Sequence, residues 1–77
     1  MSTATITMYS KPNCVQCDAT ERAFEKKGIA YDKVDLTKDH EAMAKVQSLG
    51  YRQVPVIVAG EQHWAGFQPG MISTLTA

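Results

Sequence analysis

Strand-like and helix-like segments alternate along this chain in an order that constrains the fold more than any other feature. Residues 3–9 alternate apolar and polar side chains, which is typical of a β-strand. Residues 15–27 change to a helical spacing that ends at Gly28, and residues 29–36 return to a strand pattern. We therefore expect a β-α-β unit whose two strands are parallel and are joined by a right-handed crossover.

The second half of the chain adds a helix, a hairpin and a short last helix. Residues 39–49 have a helical spacing that places Met43 and Val46 on a face that we expect to be buried. Residues 54–59 form an apolar, β-branched strand, and a tight turn leads from it into the second strand of a hairpin. Pro69 suits the first turn of the last helix. The order β-α-β-α-β-β-α predicts an α/β fold, with a mixed four-stranded sheet flanked by three helices.

The length and the charge of the chain exclude several classes of function. Seventy-seven residues are enough for one small domain, which we expect to span residues 1–77. Eight Lys and Arg balance eight Asp and Glu, so the basic excess that would hold nucleic acid or an anionic membrane is missing. No apolar run approaches the roughly 18 residues of a spanning helix, and no signal peptide is visible. We expect a cytosolic monomer with neither nucleic acid nor membrane as a partner.

The two cysteines of the chain, Cys14 and Cys17, stand where the first strand pattern changes to helix. A bridge between them would close too small a loop to stabilise the fold, which leaves redox chemistry or metal binding. Free N–H groups and a positive dipole at a helix start favour a thiolate, so we expect the Cys14 pKa to lie below about 8.5. Lys11 could lower this pKa further. The spacing brings Cys17 beside Cys14, where it can resolve a mixed disulfide.

A metal site is an alternative interpretation of this cysteine pair. A structural zinc ion usually takes four ligands, and the remaining candidates are His40 and His63. Neither histidine stands at the spacing of a zinc finger, and the helical pattern places His40 in an exposed first turn. A zinc or iron–sulfur module would need two chains to assemble four thiolates. We favour thiol–disulfide chemistry, and we expect no metal and no cofactor besides the redox-active pair itself.

Three stretches of the sequence resemble the glutaredoxins and, more closely, the NrdH-redoxins. They are residues 9–17 (YSKPNCVQC), residues 49–56 (LGYRQVPV) and residues 63–69 (HWAGFQP). The Val15-Gln16 pair resembles that of the NrdH-redoxins and not the Pro-Tyr pair of many dithiol glutaredoxins. The likeness covers nearly the whole chain, and it implies a thioredoxin-like fold.

The resemblance also implies roles for individual residues. Cys14 would be the attacking cysteine and Cys17 the resolving one. Pro55 would be the cis-proline of the fold, and the preceding residue, Val54, would offer its backbone to an extended substrate segment. We expect partner contacts from the residues around these groups, namely Lys11, Val15, Gln16, Gln53, Val54, Pro55, Trp64 and Phe67.

A NrdH-redoxin takes electrons from thioredoxin reductase and passes them to the large subunit of class Ib ribonucleotide reductase, so the resemblance implies both partners. A glutathione-dependent glutaredoxin is the alternative on the same fold. Such proteins usually follow the hairpin with a Gly-Gly-x-x-Asp-type turn that binds the tripeptide, whereas residues 65–68 contain no Asp. Trp64 and Phe67 would instead offer an apolar surface to a protein partner, although Trp64 suits a place in the core equally well.

Three positions depart from the pattern of the family. Ala65, Gln68 and Gly70 stand where the family commonly has Ser, Arg and an acidic residue. We therefore expect the polar network between this loop and the last helix to be weaker or rebuilt.

Overall fold

The computed structural model describes residues 6–75 and confirms the predicted order of elements. The strands and helices are β1 (Ile6–Ser10), α1 (Val15–Lys27), β2 (Asp32–Asp35), α2 (His40–Ser48), β3 (Val56–Ala59), β4 (Gln62–Ala65) and α3 (Pro69–Ile72). The predicted start of the first strand, residues 3–5, lies outside the described residues. Within the described part of the chain, no helix has both the length and the apolar character needed to cross a membrane.

The four strands form one mixed sheet in the order β2-β1-β3-β4. Strand β1 runs parallel to β2 and antiparallel to β3, so that Met8 stands opposite Ile57. Strand β4 pairs antiparallel with β3 and places Trp64 opposite Ile57 as well. The parallel pair and the hairpin, both predicted from the sequence, therefore meet in the middle of the sheet, where β1 lies beside β3.

Each face of the sheet carries its own apolar core. One face packs Met8, Ile57 and Trp64 against Phe24 of α1 and Ile72 of α3. The other face is covered by α2, and its buried residues are Tyr9, Leu36, Ala42, Val46, Val56 and Ala65. Successive side chains of a strand point to opposite faces, which is why neighbours such as Trp64 and Ala65 belong to different cores.

Helix α2 buries a narrower face than its sequence pattern predicts. Val46 and Ala42 lie in the core, but Met43 is 36% exposed. The prediction that Met43 is a core residue is therefore wrong. The helix has only nine residues, and it turns Ala42 and Val46 towards the sheet while Met43 lines a surface groove.

Helix α1 has the predicted bounds because local signals determine both of its ends. Cys14 is its N-cap residue, and Gly28 follows its last turn with a φ of 72°. The N–H of Ile29 donates to the Phe24 carbonyl at 2.9 Å, which satisfies an end carbonyl that helix bonds leave free.

A lysine at the end of α1 donates hydrogen bonds to the last residues of the described chain. The ammonium group of Lys27 donates to the carbonyls of Ile72, Ser73 and Leu75 at 3.2, 3.3 and 3.1 Å. A cation at the C-terminal end of α3 satisfies carbonyl groups that have no partner inside the helix.

Candidate active site

The two cysteines form a disulfide at the N-terminal end of α1, with their Cα atoms 5.2 Å apart. Cys14 has an extended backbone, and its Sγ accepts a 3.1 Å hydrogen bond from the N–H of Cys17. Cys14 is 8% exposed and Cys17 is 2% exposed. Of the two cysteines, Cys14 is therefore the more accessible residue.

A tight turn between β1 and α1 presents Cys14 at this position. Ser10 ends β1 and is buried, whereas Lys11, Pro12 and Asn13 are exposed. Asn13 has a φ of 59°, a left-handed conformation that Asn adopts more readily than most residues. The turn connects the end of β1 directly to the start of α1, so the cysteines lie beyond the C-terminal end of a central strand.

Val54 and Pro55 lie beside the disulfide. Their peptide bond is cis, as the resemblance implied, and Pro55 is buried. The Val54 carbonyl oxygen lies 4.0 Å from the Sγ of Cys14. The Pro55 carbonyl accepts a 2.7 Å hydrogen bond from the N–H of Gly66. The start of α1, the segment before β3 and the end of β4 thus meet around one sulfur atom.

Gln16, the residue before Cys17, connects the start of α1 to the loop that follows β4. Its Oε1 accepts a 3.0 Å hydrogen bond from the backbone N–H of Phe67. Gly66 has a φ of 83°, and a Cβ at that position would lie 3.2 Å from Gln16 Oε1 and 3.6 Å from Gln53 Nε2. Nothing local in the sequence reveals the side chains that approach Gly66.

The apolar surface beside the dithiol differs from the expected one. Val15 is 80% exposed and Phe67 is 39% exposed. Trp64 is 4% exposed and packs in the core against α1 and α3, and its Nε1 has no hydrogen-bond partner among the described residues. The expectation that Trp64 shares an exposed docking surface is therefore wrong. Its position opposite Ile57 in the sheet turns the indole to the buried face.

A surface groove of about 680 Å³ runs from the Val54 segment towards α2. Three of the expected contact residues, Lys11, Gln53 and Val54, line it together. Tyr51 and Arg52 line it as well, and the sequence analysis assigned them no role. The groove therefore joins the turn before Cys14 to the segment that precedes the cis-proline.

Comparison with known proteins identifies the family. Residues 6–64 match the glutaredoxin family. The glutaredoxin-like protein NrdH of Escherichia coli is 41% identical over 70 residues, which cover 91% of this chain and 86% of that protein. Its counterpart in Salmonella typhimurium is 43% identical with the same coverage. The solved structure of the NrdH-redoxin from Escherichia coli superposes with a TM-score of 0.92 at 40% identity, covering 95% of this chain and 96% of that one. The chain belongs to the glutaredoxin family and, within it, to the NrdH-redoxins.

Membership of the NrdH-redoxins establishes the fold and the type of chemistry. The mixed four-stranded sheet with three helices is a thioredoxin-like fold, and the protein is a thiol–disulfide oxidoreductase with a Cys14–Cys17 disulfide. Neither cysteine titrates in the disulfide, so the lowered pKa of Cys14 remains a prediction for the reduced protein. No three His, Cys, Asp or Glu side chains of residues 6–75 come together as metal ligands would.

The end of β4 and the loop before α3 contain two of the positions that depart from the NrdH-redoxin pattern, Ala65 and Gln68. Gln68, which stands where Arg is common, turns back and donates from Nε2 to the Ala65 carbonyl at 2.8 Å. Gln68 occupies the N-cap position of α3 but makes no side-chain cap there. The Gln68 side chain therefore bonds locally, to a backbone carbonyl at the end of β4.

Proposed function

We propose that this protein carries electrons from thioredoxin reductase to the large subunit of class Ib ribonucleotide reductase. The carrier is the Cys14–Cys17 pair itself, which cycles between disulfide and dithiol and needs no metal or organic cofactor. Such a cycle belongs in the cytosol, where thiols are kept reduced and persistent disulfides are rare.

Two electrons and two protons pass in each cycle. The reductase supplies them and converts the Cys14–Cys17 disulfide into two thiols. The Cys14 thiolate then attacks a disulfide of the target, so that a mixed disulfide forms and the first target thiol leaves. The Cys17 thiolate attacks the Sγ of Cys14, which restores the Cys14–Cys17 disulfide and releases the second target thiol.

The placement of Cys14 carries this proposal. Cys14 is the N-cap residue of α1 and is more exposed than Cys17, and its sulfur lies 4.0 Å from the Val54 carbonyl oxygen. An extended target segment could pair with that backbone while its own sulfur meets Cys14. The exposed Val15 and Phe67 supply apolar contact area for a protein partner.

The likeness to the NrdH-redoxin from Escherichia coli supports the choice of electron donor, because that protein has a thioredoxin-like activity profile. Glutathione-dependent turnover is the competing possibility on the same fold. The groove contains Lys11 and Arg52, either of which could attract a carboxylate of the tripeptide. The two donors must therefore be compared directly.

The test couples reduction of a class Ib ribonucleotide reductase large subunit to NADPH oxidation. One reaction contains thioredoxin reductase, and the other contains glutathione with glutathione reductase. We expect fast, saturable turnover in the first and slow turnover in the second, and Cys14→Ser as the control should abolish both. Faster turnover with glutathione would favour the glutaredoxin alternative, and failure with both donors would refute the proposed electron transfer.

A further inference from the structure

Residues 50–54 lie in the connection between α2 and β3 and form neither helix nor strand. They carry the Val54 carbonyl that faces Cys14. At the start of this segment the N–H of Tyr51 donates to the Val46 carbonyl of α2 at 3.3 Å. Tyr51 and Val54 of this segment also pack against the apolar core on the α2 face of the sheet. Because the segment has no regular backbone bonding, side-chain contacts have a large effect on its conformation.

A polar side-chain contact also connects this segment to the sheet. The hydroxyl oxygen of Tyr51 lies 2.6 Å from Nδ1 of His63, and the two rings meet edge to face with centroids 5.6 Å apart. With a neutral ring that carries its proton on Nε2, the hydroxyl donates to Nδ1. His63 stands in β4 opposite Val58 of β3, so the sheet holds its backbone in place.

Tyr51 also lines the groove, together with Val54. Fixing the tyrosine hydroxyl therefore fixes both one wall of the groove and the start of the segment that would pair with a substrate. His63 itself does not line the groove, so it would act through Tyr51 and not by touching the substrate.

We propose that His63 is a positioning residue, which holds Tyr51 and thereby keeps residues 50–54 in the conformation that a protein substrate binds. This inference rests on the proposed function, because it concerns the binding of protein disulfides next to Cys14. The histidine becomes a determinant of substrate preference, favouring disulfides within a polypeptide over small disulfides that have no backbone to pair.

The test compares insulin, as a protein disulfide, with hydroxyethyl disulfide, which has no peptide backbone. Dithiothreitol supplies the electrons, so the result does not depend on the identity of the reductase, and the uncatalysed rate is subtracted. In His63→Ala we expect the ratio of kcat/KM for insulin to kcat/KM for the small disulfide to fall about fivefold, mainly through KM. This is the factor that one neutral hydrogen bond typically contributes.

Three further variants separate positioning from general stability. Tyr51→Phe removes the hydroxyl and keeps the ring, so it should lower the ratio as far as His63→Ala does, and the double variant should lower it no further. His63→Asn places an amide near the position of Nδ1. It should therefore keep the ratio of the two kcat/KM values close to that of the wild type. Gln62→Ala changes a neighbouring exposed residue whose side chain points to the other face of the strand, and it should match the wild type.

Two results would overturn the proposal. The first is an unchanged ratio in both His63→Ala and Tyr51→Phe. The second is a loss that is equal for both substrates and follows the drop in thermal stability, which would make the pair a purely structural contact. A wild-type protein that reduces neither disulfide would instead refute the proposed function, and this inference with it.

Discussion

The side-chain oxygen of Gln16 accepts a 3.0 Å hydrogen bond from the backbone N–H of Phe67, which lies 51 positions further along the chain. This bond joins one of the two residues between the cysteines to the loop that exposes an aromatic ring beside them. Gly66 makes the approach possible, because it lacks a Cβ that would point at the same oxygen. The dithiol and the apolar surface next to it are therefore held together as one unit.

Gly66→Ala should destabilise the protein and disturb this unit. The residue has a φ of 83°, and a new Cβ would lie 3.2 Å from Gln16 Oε1. A left-handed conformation costs a residue with a Cβ about 1–2 kcal/mol, and the displaced oxygen would weaken its bond to Phe67. Urea unfolding measures the loss. Gly70→Ala in α3 is the matched control, because no atom lies within 4 Å of its Cβ position and its φ is not positive. A loss no larger than that of Gly70→Ala would contradict the prediction.

The two cysteines should differ in trapping experiments. Cys17→Ser should accumulate mixed disulfides through Cys14, because the resolving thiolate is missing. Cys14→Ser should accumulate none and should not reduce disulfides, since Cys17 is only 2% exposed. Non-reducing gels followed by mass spectrometry identify the trapped species. Adducts on the Cys14→Ser variant would show that the assignment of the two roles is reversed.

Trp64→Ala should act on stability and not on docking. The side chain is 4% exposed and packs between the sheet and two helices. Truncating a buried aromatic side chain to Ala typically costs about 3–5 kcal/mol, which is a large part of the stability of a small domain. Trp64→Phe keeps most of the apolar volume and removes the unpaired Nε1, so it should lose much less. Equal losses in the two variants, measured by urea unfolding, would argue against this packing role.

Phe67→Ala, in contrast to Trp64→Ala, should act on docking and not on stability. Phe67 is 39% exposed next to the dithiol, so its loss should change the free energy of unfolding by less than about 0.5 kcal/mol. An exposed aromatic anchor in an interface is worth about 1–2 kcal/mol, so the KM of thioredoxin reductase for the protein should rise about five- to thirtyfold. Phe67→Leu keeps an apolar side chain and should show a smaller increase. An unchanged KM in Phe67→Ala would place the reductase contact elsewhere.

Tyr31 should make the free energy of unfolding depend on pH in the alkaline range. Burial, together with the hydrogen bond that its hydroxyl donates to Glu21, raises the pKa of Tyr31 to about 12. Because the folded-state pKa lies above the ordinary value of about 10, the protonated tyrosine stabilises the fold below pH 10. This contribution is lost as the pH rises through about 12. The difference in unfolding free energy between wild type and Tyr31→Phe should shrink over this range, and a constant difference would contradict the shift.

The chain's local signals determined its elements and the position of the redox pair. The bounds of α1 could be read from the sequence because a cap at Cys14 and a glycine at residue 28 act within one turn of the helix. The same local reading placed both cysteines at the start of that helix. The strands β2 and β3 were predicted longer than they are, since pairing with a neighbour decides where a ladder ends.

Tertiary structure alone decided which side chains surround the redox pair. The exposure of Met43 and the burial of Trp64 depend on how α2 and β4 are oriented against the rest of the sheet. The bonds from Gln16 to Phe67 and from Tyr51 to His63 join segments that meet only after the chain has folded back on itself. Spacing patterns and caps report on neighbours within a few residues, because the underlying helix and strand periods are short. Contacts between distant segments depend on the packing of whole elements, and no local pattern in the sequence encodes them.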